Sequence, residues 1–158
     1  MGKEIERKYL VLGNGWGPGD DRGVRQRQGY LAVNERGTVR VRVEGGRAVL
    51  TLKGAQRGLT RAEYEYEIPL EEGEAILAEL CGFVVEKTRH RRDFAGRTWE
   101  VDVFHGENEG LVVAEVELES EDDAVEAPTW VGAEVSHDPR YRVSHLSKHP
   151  YRDWKEDG

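Results

Sequence analysis

The sequence is poor in cysteine, proline and long apolar runs, and each scarcity excludes a class of protein. Cys81 is the one cysteine among 158 residues, so no disulfide framework can form within the chain, and a reducing compartment is expected. No run of about 18 apolar residues occurs, which excludes a transmembrane helix. The segment 1–6 lacks the apolar core of a secretory signal. We therefore expect a cytoplasmic protein without a membrane partner.

The chain also lacks an excess of basic residues. Its formal net charge is −8, which argues against nonspecific binding to nucleic acid. Hydrophobic residues make up 37% of the chain and charged residues 34%, an unusually polar balance for a globular protein. The length suits one domain spanning 1–158, and no linker or repeat divides it.

Alternation with a period of two residues runs through most of the chain and predicts strands. Gly45-Gly46 and Ala95-Gly96 each separate two alternating runs, as expected for hairpins. The expected strands are 4–11, 25–33, 38–43, 48–53, 61–68, 84–94, 98–104 and 111–118. Helical spacing predicts one helix over 71–81, a short acidic helix starting near Ser120, and a weaker helix within 138–149. The expected fold class is mainly β (α+β), an eight-stranded antiparallel β-barrel with a few peripheral helices.

Charged side chains share one face of each expected strand, whereas the other face is mostly apolar. The charged face carries Glu4, Glu6, Lys8, Arg25, Arg27, Arg40, Arg42, Lys53, Glu63, Glu65, Glu67, Lys87, Arg89, Arg91, Glu100, Asp102, Glu115 and Glu117. A solvated outer face is the ordinary explanation of such a pattern. Here, however, the signs are segregated by strand, which places like charges about 7 Å apart.

Closing this sheet with its charged face inward would create an interior that cannot be dry. Burying one charge costs several kcal/mol, and total stability is only about 5–15 kcal/mol. The interior must then be a wet tunnel that receives counter-charges. Carboxylates call for hard cations such as Mg²⁺ or Mn²⁺, and clustered Lys and Arg call for phosphate oxygens. The pattern indicates a ligand that combines both, namely a metal-bound polyphosphate.

Short motifs in a fixed order resemble a known family. They are Glu-Ile-Glu-Arg-Lys at 4–8, Arg-Gln-Gly-Tyr-Leu at 27–31, Arg-Val-Arg at 40–42, Thr-Leu-Lys at 51–53, Glu-Tyr-Glu at 63–65, Glu-Lys-Thr-Arg at 86–89, Glu-Val-Asp-Val-Phe at 100–104, Glu-Val-Glu at 115–117 and Arg-Tyr at 140–141. The first matches the E-x-E-x-K signature of the CYTH, or triphosphate tunnel metalloenzyme, superfamily. The chain resembles the bacterial inorganic triphosphatases of that group along nearly its whole length.

This resemblance implies a tunnel fold, a small-molecule triphosphate substrate and bound Mg²⁺ or Mn²⁺, as one ion or two. The residues implied to hold phosphate are Lys8, Arg40, Arg42, Lys53, Lys87 and Arg89. The residues implied to hold metal are Glu4, Glu6, Glu115 and Glu117. Tyr30 and Lys53 are implied to act together near the attacking water. Further tunnel residues are expected at Arg27, Glu63, Glu65, Glu100 and Asp102.

Several alternatives stay open at this point. The substrate could be a nucleotide or thiamine triphosphate, the reaction could be that of a class IV-type adenylate cyclase, or the chain could be a non-catalytic polyphosphate-binding module. A homodimer is also open. Crowding by tunnel cations would lower the pKa of Lys53 and let it activate water with Tyr30. With bound phosphate nearby, Lys53 would instead stay protonated as a phosphate ligand, and we give both readings equal weight.

Overall fold

The computed structural model describes residues 2–17, 19 and 21–156, and nine strands dominate them. The strands are β1 Lys3–Val11, β2 Val24–Asn34, β3 Gly37–Glu44, β4 Arg47–Gly54, β5 Thr60–Ile68, β6 Val85–Phe94, β7 Arg97–Phe104, β8 Val112–Glu117 and β9 Val131–Glu134. The helices are α1 Leu70–Glu79 and α2 Val143–Leu146, with 3₁₀ turns at Gly106–Asn108, Pro139–Tyr141 and Tyr151–Glu156. In the described part of the chain, no helix is long and apolar enough to cross a membrane.

The strands form one antiparallel sheet that closes on itself. Its order is β5-β4-β3-β2-β6-β7-β8-β1-β9, and an additional pairing of β5 with β1 completes a ring of eight strands. That seam is short, because only Lys3, Glu4 and Ile5 of β1 are in register with β5. Further along the same edge, β9 pairs with β1 instead. The predicted antiparallel eight-stranded fold is therefore confirmed, with one additional strand.

Apolar side chains pack on the outer face of the ring, beneath the helices and loops. Trp99 is fully buried, with the rings of Tyr9 and Trp130 packed against it. Helix α1 covers another part of the outer face, where Leu77 packs in a cluster with Val41 and Val43. Since the core lies outside the ring, the inner face is left to polar side chains.

The hairpin turns follow the glycine signals in the sequence. Gly45 has φ of 56°, and Ala95 and Gly96 have φ of 51° and 79°, so both turns use the left-handed region that glycine tolerates best. The predicted helix over 71–81 is present as Leu70–Glu79. It starts directly after Pro69, which ends β5 because proline cannot donate to the strand ladder.

Three expectations about the last third of the chain need correction. No helix starts near Ser120, because the Asp123 carboxylate accepts the backbone N–H groups of Glu119 and Ser120 and holds a turn instead. The strand β9 was not expected, since its four residues are too short for an alternating pattern. The helix expected within 138–149 is broken into a 3₁₀ turn and the short α2.

Candidate functional site

The inner face of the ring encloses a cavity of about 260 Å³. Most of the charged residues singled out in the sequence line it, together with one tyrosine. These are Glu4, Glu6, Lys8, Tyr30, Arg40, Arg42, Lys53, Glu63, Glu65, Lys87, Arg89, Glu100, Glu115 and Glu117. They come from the eight strands of the ring, and alternation along each strand aims them at the same space. The ring thus brings a cationic set and an acidic set together.

One wall of the cavity is cationic and is organised by a buried carboxylate. Asp102 of β7 is fully buried and accepts hydrogen bonds from Lys87 Nζ at 2.8 Å and from Arg89 Nε and Nη2 at 2.8 and 2.9 Å. Burial would raise the pKa of Asp102, but the charges of Arg89 and Lys87 lower it. Asp102 therefore does not line the cavity. It lies behind the cations and orients them.

Lys87 and Arg89 respond differently to this environment. Burial lowers the pKa of Lys87 to about 8, although Asp102 favours its charged form. Burial also works against the charge of Arg89, but Asp102 outweighs it and the pKa of Arg89 is raised. Arg89 therefore stays a fixed cation at every accessible pH, whereas the charge of Lys87 depends on nearby anions.

Arg40 and Arg42 of β3 extend the cationic wall. Arg40 is 7% exposed, and its guanidinium donates to Thr51 at 3.2 Å and lies 3.7 Å from Glu65. Arg42 donates to Glu44 at 3.2 Å. The Nε of Arg40 is buried and has no hydrogen-bond partner among the described residues. A buried donor without a partner is costly, so this wall is suited to an anionic ligand.

The opposite wall is a crowded set of carboxylates from β1, β5 and β8. Burial raises the pKa of Glu6 well above its usual value, and the charges of Glu115 and Glu4 raise it further. Burial and a hydrogen bond with Glu4 raise the pKa of Glu63 to about 7. Glu117 is exposed at the edge of the cavity, and its pKa is also raised, first by burial and then by Glu100.

Two members of this acidic wall keep their charge through nearby lysines. Burial would raise the pKa of Glu115, but Lys8, at 3.8 Å, and the cations of the opposite wall hold it well below its usual value. Burial likewise opposes the charge of Glu4, and Lys53 lowers its pKa. Some carboxyls of the acidic wall are thus biased toward their protonated forms, and others are stabilised as carboxylates by lysines.

The donor set of the acidic wall fits a hard divalent cation. It consists of carboxylate oxygens from neighbouring strands, and burial together with neighbouring carboxylates raises the pKa of Glu6 and of Glu63. No three acidic or histidine side chains in the described residues already have the geometry of a metal site. The carboxylate donors therefore suit a divalent metal ion, but their side chains would have to change conformation to ligate it together.

Lys53 and Tyr30 do not form the pair that the resemblance implied. Among the described residues no hydrogen bond joins them, and the Tyr30 hydroxyl accepts one from Gln28 at 3.1 Å. Burial would lower the pKa of Lys53, but Glu4 outweighs it and the pKa is raised. The expected lowering of the Lys53 pKa by tunnel cations is wrong, because the Glu4 oxygens, 3.1 and 3.2 Å from the ammonium, favour its charged form more than Arg40 opposes it.

Arg27 was expected in the tunnel but lies outside it. Its guanidinium pairs with Glu74 of α1 on the outer face. Along β2 the inward side chains are Gln26, Gln28 and Tyr30, so Arg25 and Arg27 share the outer face. Both glutamines are buried, and each has an amide oxygen without a partner in the described chain. The error arose because β2 is polar on both faces.

The sequence analysis also missed cavity residues outside the recognised motifs. Arg61 precedes Glu63 on the same face of β5, so alternation alone could have identified it. Arg142 lines the cavity from the C-terminal segment, beside Tyr141 of the recognised Arg-Tyr motif, and this segment carries no strand pattern. The Nζ of Lys8 donates to the Tyr141 carbonyl at 3.1 Å, so a tunnel lysine holds this segment across one end of the cavity.

Comparison with known proteins agrees with this geometry. A family model described as the CYTH domain matches residues 2–150. An inorganic triphosphatase of Acetivibrio thermocellus is 50% identical over 157 residues, covering 99% of this chain and 100% of that protein. An inorganic triphosphatase of Nitrosomonas europaea is 39% identical over 148 residues, covering 91% of this chain and 96% of that protein.

A solved structure agrees with the sequence relatives. The crystal structure of an inorganic triphosphatase superposes with a TM-score of 0.65 at 37% identity, and the match covers 91% of this chain and 93% of that one. The family match spans nearly all of the chain, the relatives match it over nearly their full length, and the ring carries the expected tunnel. The chain belongs to the CYTH domain family.

Proposed function

We propose that this chain hydrolyses a triphosphate, and that inorganic tripolyphosphate is its substrate, giving pyrophosphate and phosphate. One observation carries the proposal: a single cavity of about 260 Å³ holds a cationic wall opposite a wall of crowded carboxylates, where burial and acidic neighbours raise the pKa of Glu6. Tripolyphosphate is small, highly anionic and a metal chelator, so it satisfies both walls at once. The relatives named inorganic triphosphatases support the same substrate.

The proposed metal ligands are Glu4, Glu6, Glu115 and Glu117, and the proposed ion is Mg²⁺ or Mn²⁺, bound once or twice. A divalent ion in this place supplies Lewis-acid polarisation of phosphoryl oxygens and lowers the pKa of bound water. These carboxylates would hold the ion on the acidic wall. Glu63, Glu65 and Glu100 also line the cavity and are proposed to tune its charge, with no direct role in ligation.

The proposed phosphate ligands are Lys8, Arg40, Arg42, Lys53, Lys87 and Arg89. In the reaction, the oxygen of water bonds to a terminal phosphorus, and the bridging P–O bond breaks to release pyrophosphate. Arginines held by Asp102 and Thr51 need little reorganisation to stabilise the charge on the transferred group. Each charge-assisted contact contributes about 1.5–3 kcal/mol.

Tyr30 and Lys53 are proposed to have different roles near the attacking water. Lys53 stays an ammonium because carboxylates surround it, so it acts as a charged ligand and not as a base. The Tyr30 hydroxyl accepts a hydrogen bond from Gln28, which leaves its own proton free to donate into the cavity. We propose that Tyr30 orients the attacking water or a phosphate oxygen. The single cysteine supports a cytoplasmic location.

A product assay tests the proposal. The chain is incubated with tripolyphosphate, ATP or thiamine triphosphate, each with Mg²⁺ or Mn²⁺, and products are separated by ion-exchange chromatography. We expect pyrophosphate and phosphate in equal amounts from tripolyphosphate, at the highest kcat/KM of the set. Cyclic AMP from ATP would point to the cyclase alternative. Tight binding without any product would point to a binding module.

A further inference from the structure

We propose that Lys53 blocks the metal site until a triphosphate binds, so that metal and triphosphate bind as a cooperative pair. This inference rests on the proposed function, because it takes Glu4 as a metal ligand. The blocking contact is the ion pair between Lys53 and Glu4. A metal ion that met the empty tunnel would have to displace the ammonium, whereas a triphosphate offers that ammonium another anion.

The contact occupies both oxygens of Glu4. The Lys53 ammonium donates to Glu4 Oε1 at 3.1 Å and to Oε2 at 3.2 Å, and it lies 3.3 Å from Glu63 Oε2. The Lys53 and Glu4 side chains are only 15% and 9% exposed, so solvent screens the pair weakly. A divalent cation ligated by Glu4 would meet the ammonium at close range, where like charges repel strongly. The two cations therefore exclude each other.

The arrangement of the other carboxylates agrees with this exclusion. In the described residues no three acidic side chains share the geometry of a metal site, although Glu4, Glu6 and Glu115 line one cavity. Glu115 faces Lys8 at 3.8 Å, so a second lysine lies on the same wall. A lysine thus lies beside each of two proposed metal ligands, Glu4 and Glu115.

Triphosphate binding would release the block. The cationic wall, including Arg40 and Arg42, faces the same cavity, so a phosphate chain held there comes within reach of the flexible Lys53 side chain. Once the ammonium pairs with phosphate, Glu4 is free to ligate metal. By linkage, each ligand must then raise the affinity for the other by the same factor.

Lys87 provides a matched control. It is another buried lysine of the cavity, and its ammonium pairs with Asp102 at 2.8 Å, a carboxylate outside the proposed metal set. Lys53→Met and Lys87→Met remove one positive charge each from the same tunnel. A general change of tunnel charge would affect both variants alike, whereas release of Glu4 affects only the first.

The test measures Mn²⁺ binding to the intact protein at fixed pH, with no phosphate present, by the electron paramagnetic resonance signal of free Mn²⁺. We expect Lys53→Met to bind Mn²⁺ about tenfold more tightly than the unaltered protein, and Lys87→Met to stay within about twofold of it. Lys53→Arg keeps the charge and should bind Mn²⁺ as weakly as the unaltered protein. Equal tightening in both methionine variants, or none in Lys53→Met, would overturn the proposal.

A second arm uses the unaltered protein and a non-hydrolysable imido analogue of tripolyphosphate. We expect the analogue to tighten Mn²⁺ binding about tenfold or more, and the gain to shrink in Lys53→Met, where the block is already absent. An undiminished gain in Lys53→Met would contradict the block. Phosphate release from tripolyphosphate is measured on the same preparation, so a chain that hydrolyses without this coupling refutes only the inference. A chain that hydrolyses no triphosphate refutes the proposed function.

Discussion

The two walls of the tunnel carry similar numbers of charges but are stabilised in opposite ways. On the cationic wall, Asp102 holds Lys87 and Arg89 with three hydrogen bonds and is itself fully buried. On the acidic wall, Glu6 lies beside Glu4 and Glu115, and its pKa is raised well above the usual value, first by burial. The cationic wall is thus stabilised by a buried counter-ion, whereas the acidic wall combines two lysine pairs with a carboxyl whose pKa is raised.

This difference indicates which part of the site is preorganised before a ligand binds. Cations fixed by buried hydrogen bonds are preorganised, and they stabilise anionic charge without rearranging. Carboxylates that repel one another are a local cost that a divalent ion would remove. Substitutions on the two walls should therefore differ in kind: on the cationic wall they affect the fold and activity together, and on the acidic wall they affect activity alone.

The largest effect is expected from Asp102→Ala. The change removes the carboxylate partner of the buried Lys87 and leaves Arg89 with Glu100 alone among its two carboxylate partners, which should cost about 3–5 kcal/mol of the free energy of unfolding. Urea denaturation followed by circular dichroism measures it. Glu67→Ala removes an exposed carboxylate that pairs with Arg47 and should change stability by about 0.5 kcal/mol or less. Equal losses in the two variants would show that Asp102 is not a counter-ion of this kind.

Next in size is Glu6→Gln on the acidic wall. Because Glu6 is already biased toward its protonated form, glutamine resembles it, and stability without metal should be unchanged or slightly higher. Activity with tripolyphosphate and Mn²⁺ should fall about 100-fold, because a ligand of the proposed metal is lost. Steady-state kinetics and thermal melting test the two halves. Glu119→Gln, exposed just beyond β8, is the control and should keep full activity.

Arg40→Ala tests the cationic wall without removing its counter-ion. The loss of one charge-assisted phosphate contact should cost about 1.5–3 kcal/mol in kcat/KM, with KM raised. Arg27→Ala is the matched control, because Arg27 pairs with Glu74 on the outer face of the ring. If the two variants bind tripolyphosphate equally well, Arg40 does not face the substrate.

The contrast between Arg40 and Arg27 also shows what the sequence could predict. On β3 the inward residues are charged and the outward residues are valines, so alternation assigns Arg40 and Arg42 to the tunnel. On β2 both faces are polar, and the inward side chains are neutral. The alternation along β2 therefore does not show which of its faces points into the tunnel. Pairing with β3 and β6 decides it, and pairing is a property of the whole sheet.

The pKa shifts in the site were harder to predict from the sequence than the identity of the residues that line the cavity. Lys53 and Glu4 are 49 positions apart, and the β1–β5 seam brings them into contact. Without that seam, counting nearby cations suggested a lowered pKa for Lys53, which was wrong. Likewise, the sequence predicted only a helix within 138–149, and nothing in that pattern indicated that the Tyr141 carbonyl would accept a hydrogen bond from Lys8. Contacts between distant segments determine both features.

A smaller effect is expected in the pH dependence of stability, to which the acidic wall contributes through Glu63. The folded pKa of Glu63 is about 7, above the 4.5 expected when unfolded, so the folded state binds more protons between these values. Stability without metal should therefore fall as pH rises from 5 to 7, by about 1 kcal/mol after solvent screening. Melting curves of the unaltered chain and Glu63→Gln, compared at each pH, isolate this carboxyl from the histidines. Identical slopes in the two proteins would contradict the raised pKa.

The smallest effect is expected from Tyr30→Phe, which lies between the walls. Its hydroxyl is held by Gln28, and Lys53 is an ammonium, so the structure provides no lysine base for this tyrosine to assist. Phenylalanine should remove one neutral hydrogen bond to water or phosphate, worth about 0.5–1.5 kcal/mol, and lower kcat about threefold to tenfold. The alkaline limb of the pH profile should not move. A loss above about 100-fold together with a shifted alkaline limb would instead restore a water-activating pair, because only a titrating partner of Tyr30 moves that limb.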